Sequence, residues 1–128
     1  ELIERTGVTH AVITPAVLRD RQPEVARAAW RTASGLVPDD AHEALADELA
    51  TQFGRGDHDT QRSLSRAFAA IGYRAEPAVE RAAASPYDVV SAHARATAIV
   101  MDDPDTEFAE AVVEARRVVA QRALPDED

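Results

Sequence analysis

The sequence predicts an all-α fold of stacked helical hairpins, and three observations carry that prediction. The chain repeats itself: Thr14-Pro15-Ala16-Val17-Leu18-Arg19 returns as Glu76-Pro77-Ala78-Val79-Glu80-Arg81, with Pro, Ala, Val and Arg in step from position 14 to 76, 62 residues on. That interval is two periods of about 31 residues, a spacing typical of helical arrays. Ala supplies 27 of the 128 residues and aromatics are few, which favours helices that approach one another through small side chains. β-branched residues never gather into the run that a strand would need.

Punctuation and apolar spacing place seven helices. The first covers residues 9–19, where Pro15 either kinks the helix or starts it late. After the turn Asp20-Arg21-Gln22, Pro23 suits a first helical position and opens a helix to about Ser34, with Gly35 close to its end. Val37-Pro38-Asp39-Asp40 forms the next turn, Asp39 or Asp40 capping a helix over 41–53 that stops at Gly54-Arg55-Gly56. Asp57 or Asp59 caps a fourth helix over 60–71, closed by Gly72. A short fifth covers 76–84 and is broken by Ser85-Pro86, and a sixth runs from 87 or 88 to 101. The last, over 106–123, carries Glu107 and Glu110 in its first turns and Arg116, Arg117 and Arg122 in its last, which complements the helix dipole. Pro125-Asp126-Glu127-Asp128 reads as a disordered acidic tail.

Odd- and even-numbered helices form two classes. Aligning Val25, Thr60 and Val89 as openings of the even helices puts Arg31, Arg66 and Arg95 at one shared position, and Arg27 and Arg62 at another where the third copy has Ser91. Ala29 then matches Leu64, Ala33 matches Phe68, and Leu36 matches Ile71 and Val100. His93 falls at the core register of Ala29 and Leu64, so a buried, hydrogen-bonded histidine is expected. Trp30 aligns with Ser65 and Ala94, which suggests a partly exposed position at the core's edge, packed against the first helix in preference to anchoring a partner or covering the array's open end. The shared arginines read as a ladder pairing with acids of neighbouring repeats, each pair contributing ~0–1 kcal/mol; a stripe that reads phosphates is the rival, disfavoured because the chain has no Lys and no basic groove.

Pro15-Ala16-Val17-Leu18, a short turn, then Pro23-Glu24-Val25-Ala26-Arg27-Ala28-Ala29 resembles a HEAT-like repeat of the phycobilisome-lyase type. Asp59-Thr60-Gln61-Arg62 through Ala70-Ile71-Gly72 matches the closing half of that pattern, whereas the copy from Asp88 to Met101 lacks its Arg and Gly. The resemblance covers residues 9 to 123 and implies an α-α superhelix, a HEAT-like solenoid of about three hairpins plus a partial fourth. It further implies a concave face lined by the helices at 9–19, 41–53, 76–84 and 106–123. On that face Arg19, Asp47, Arg81 and Glu114 fall at nearly equivalent places, flanked by Glu43, Glu48, Glu80, Glu110 and Arg117. This mixed but mainly acidic strip is the expected protein-binding face, suited to a basic or amphipathic segment of a partner protein. A non-enzymatic scaffold follows, with a bilin-lyase-like or metal-dependent HEAT enzyme as the alternative.

The chemistry-bearing residues are sparse. His42-Glu43 is similar to the His-Glu pairs that bind di-iron in deoxyhypusine hydroxylases, but a metal site needs several such pairs converging and this chain has one. His58 lies between Asp57 and Asp59, where helix capping explains the cluster, and His10 stands alone. No catalytic residue, metal or cofactor is expected.

Composition bounds the rest. Acidic residues number 23 against 14 basic ones, all of them Arg, for a net charge of −9. Such a surface repels phosphate backbones and anionic membranes, which argues against nucleic acid as a partner. An acid excess without Lys also resembles haloarchaeal proteins, since molar salt screens like charges to within about 3 Å. Cysteine is absent, so no disulfide or thiolate chemistry is available. No apolar run approaches the ~20 residues that span a bilayer and no signal-peptide pattern is seen, so a cytoplasmic protein is expected. The chain reads as one domain over 1–128, either trimmed or part of a longer array, because it opens at Glu1 and enters structure at once.

Overall fold

Residues 15–122 are described by a computed structural model, and among them there is no strand. The helices are α1 (Pro15–Leu18), α2 (Pro23–Leu36), α3 (His42–Ala50), α4 (His58–Ile71), α5 (Glu76–Ala83), α6 (Asp88–Asp102) and α7 (Phe108–Arg122). Short 3-10 turns at Asp39–Ala41 and Gly72–Ala75 lead into α3 and α5. The expected start of the first helix before Pro15 and the acidic tail lie outside the described residues.

Local sequence explains most boundaries. Pro23 sits in the first turn of α2, and Pro77 in that of α5, where a missing N–H costs nothing. The Asp57 carboxylate caps α4, accepting from the Thr60 amide at 2.9 Å and from the Thr60 hydroxyl at 2.8 Å. Gly72, at φ 86°, ends the same helix. Helix α3 stops at Ala50, three residues before the expected Phe53. From Thr51 onward the amides bond three residues back, to Glu48, Leu49 and Ala50, instead of continuing the α-helical ladder. The neighbouring Gln61 side chain then takes up the carbonyls of Gln52 and Arg55, at 2.9 and 2.6 Å, so this turn is tied from below.

The helices pack in two rows. One comprises α2, α4 and α6, and the other α1, α3 and α5, while α7 lies along α6. Between the rows runs one core holding Leu18, Trp30, Leu49, Phe53, Leu64, Phe68 and Val79, with Phe53 and Phe68 stacked at 5.0 Å. Fully buried Ala26, Ala33, Ala46, Ala75 and Ala94 let backbones close in. A second cluster joins Ala92 and Ala96 of α6 to Phe108, Ala111, Val112, Ala115 and Val119 of α7. Helix α6 thus serves two cores, offering Ala94 to the first and Ala92 and Ala96 to the second.

Trp30 departs from expectation in its burial. Its side chain is wholly enclosed, and its indole N–H donates to the Leu18 carbonyl at 2.8 Å, fixing α1 to α2. The equivalent Ser65 and Ala94 are also buried, so the position is central in all three even helices. In the first copy an indole occupies the buried position that Ser65 and Ala94 hold in the others.

Candidate interaction face

Burial in α3 and α5 selects which residues remain outside. Leu45, Ala46 and Leu49 turn inward on α3, as do Ala78 and Val79 on α5. Helical periodicity then leaves Glu43, Asp47, Glu80 and Arg81 exposed, with Glu48 half-buried at the edge.

Ion pairs join neighbouring helices of this row. Arg19, just past α1, pairs with Glu48 of α3, and Asp47 of α3 pairs with Arg81 of α5. Four of the nine residues singled out from the sequence are therefore brought together. Glu114 and Arg117 pair with each other within α7, apart from that line. Glu43, Glu80 and Glu110 are exposed and make no ion pair among the described residues. Pairs this exposed contribute ~0–1 kcal/mol each, so the buried core holds the helices and the charges only decorate them.

Two clefts open beside these charges. One of about 500 Å³ lies between α3 and α5, with Asp47 and Arg81 on its walls and Ala50, Ala78, Ala82 and Val90 among its apolar lining. Another of about 300 Å³ lies between α5 and α6, where Glu76, Glu80 and Asp102 surround Val79, Ala98 and Met101.

The histidines have local roles. His42 Nε2 lies 2.9 Å from the Val37 carbonyl and Nδ1 lies 3.8 Å from Asp39, so the ring braces the turn into α3 and is half-buried, less open than a surface residue. Among the described residues no three His, Asp or Glu side chains converge to hold a metal. His58 packs against Phe108 at 5.2 Å, linking α4 to α7. His93 is buried as expected, but its Nδ1 has no hydrogen-bond partner among the described residues. Burial, and then the charges of Arg116 and His58, lower its pKa from 6.5. The Asp57 carboxyl is likewise held below 3.8, first by the Thr60 amide and hydroxyl that it accepts from, and least by Arg27.

On the other row the expected arginine ladder does not form. Arg31 and Arg66 make no ion pair among the described residues, and Arg95 donates to the Ser91 hydroxyl at 3.1 Å. Arg27 Nε donates to Ser63 Oγ at 2.9 Å. Together with Arg27 and Ser63, Arg31 and Arg66 line a cleft of about 180 Å³ between α2 and α4. The shared register is legible in the sequence, which favours ion pairs there over a phosphate-reading stripe. The lining of that cleft, with Ser34, Ser63, Ala67 and Ala70, offers these arginines no carboxylate.

No described helix is long and apolar enough to cross a membrane. No family model matches the chain, and neither the curated proteins nor the solved structures contain a match to it.

Proposed function

We propose that this chain is a protein-interaction module, a HEAT-like α-α solenoid that receives a basic or amphipathic segment of another protein on the side of α1, α3 and α5. The observation that carries this reading is the charged line Arg19–Glu48, Asp47–Arg81 beside the cleft between α3 and α5. The Asp47–Arg81 pair is exposed and weak, so a cation from a partner can displace Arg81 at little cost. The apolar lining between them can take the stem of a long side chain. Glu43 and Glu80 add negative charge at the margins.

Capture from the native lysate at physiological salt tests the reading, comparing wild type with Asp47→Lys/Glu80→Lys. A protein retained by the first and lost by the second, and cross-linked to α3 or α5 through a basic segment, supports it. Identical capture by both chains overturns it, and stoichiometric iron or zinc in the purified protein would favour a metal-dependent enzyme instead.

A further inference from the structure

Among the described residues, Arg19, Arg81, Arg117 and Arg122 meet a carboxylate and the other nine arginines make no ion pair. Three of those nine, Arg27, Arg31 and Arg66, line one cleft on the side of α2 and α4. Arg27 has the Asp57 carboxylate within electrostatic reach, whereas Arg31 and Arg66 bring two like charges to the cleft that an anion between them would offset. The lining of that cleft, with Ser34, Ser63 and Ala67, includes no carboxylate.

We propose that this cleft binds a single phosphate group, either inorganic phosphate or one carried on a small molecule. A phosphate bears about −1.5 to −2 charges at pH 7 and three acceptor oxygens. Planar guanidinium forks meet such oxygens two at a time. Arg31 and Arg66 occupy the same register one repeat apart, so their side chains flank the cleft from adjacent helices. Arg27 is positioned by its bond to Ser63, and that hydroxyl keeps its own proton to donate into the cleft. Ser34 instead donates to the Arg31 carbonyl at 3.1 Å and so steadies the end of α2.

The site is single. In the next pair of even helices the equivalent Arg95 is half-buried and tied to Ser91, whose hydroxyl is itself bonded to the Ala83 carbonyl at 2.6 Å. A polyanion is a poorer match than one phosphate, because its remaining phosphates would lie over a molecule of net charge −9.

Titration calorimetry of the purified chain with inorganic phosphate, at low and constant ionic strength, tests this. Saturable one-to-one binding is expected, weakened about tenfold or more by Arg31→Gln and by Arg66→Gln. Arg62→Gln removes the same charge from α4 outside the cleft and should change affinity by less than about twofold. Arg31 and Arg66 are exposed, so their variants should keep the wild-type helical dichroism. No saturable binding overturns the proposal, as does an equal loss in Arg62→Gln. A short single-stranded oligonucleotide binding more tightly than phosphate through the same arginines would overturn it in favour of a nucleic-acid surface. None of these outcomes depends on the opposite, acidic side of the molecule.

Discussion

At position 93 the repeat register holds Ala in one copy and Leu in another, and the third copy supplies His. Its ring is buried beside Arg116 of α7 and within the influence of His58 of α4, so the folded state favours the neutral form. With a folded pKa below 6.5, the unfolded chain binds more protons as pH falls through that value. Stability is therefore full above about pH 6.5 and declines toward the lower folded pKa. His93→Leu, which restores the Leu64 pattern, should flatten the fall in thermal midpoint between pH 7 and pH 5. A decline as steep as wild type would refute the assignment. Asp57 acts at lower pH. Its depressed pKa contributes stability above about 3.8 that is lost as the carboxylate protonates. Asp57→Ala should lower the melting temperature at pH 7, and the gap from wild type should narrow as pH falls below 3.8; a constant gap would exclude the cap as its source. Residue-level burial was largely legible, since Ala29, Leu64 and His93 are all buried, as are Ala33 and Phe68. The depth of Trp30 was not, because Ser65 and Ala94 suit a crowded interior as well as a margin.

Helices and their order were readable because Pro, Gly and Asp mark nearly every boundary. The end of α3 was misplaced because it depends on contacts from another element, the Gln61 side chain beneath the turn. Gly54 in that turn has φ 85°, and a Cβ there would lie 3.1 Å from Val90 Cγ2. Gly54→Ala should cost about 1–2 kcal/mol from the left-handed backbone alone, read as a lower urea midpoint, and an unchanged midpoint would show that the turn relaxes freely. Helix α7 buries its apolar face on α6 in a cluster separate from the main core. Amide exchange should therefore be faster in α7 than at Leu64 and Phe68 of α4, which sit in that core. Equal protection would mean that the two clusters open as one.

Across the whole molecule, charge is the dominant unbalanced quantity. At −9 the chain repels itself, and raising KCl from 0.1 M to 1 M shortens the screening length from about 10 Å to about 3 Å. We propose a protein suited to a high-salt cytoplasm, whose melting temperature rises steeply over that interval. A flat profile would favour the alternative source of the missing Lys, a high-GC genome whose codons favour Ala and Arg over Lys. The candidate face was half legible at this scale. Helical register marked Arg19, Asp47 and Arg81 as equivalent, but which charges would meet depends on how α1, α3 and α5 sit side by side. Glu114 illustrates the difference, since it pairs inside its own helix.

The enclosure of Trp30 makes the chain's sole indole an optical sentinel for the α1–α2 end. Its emission should be blue-shifted, and it should stay so while α7 detaches far from it, whereas far-ultraviolet dichroism registers every helix alike. Divergence of the two signals during denaturation would time the separation of one end from the other.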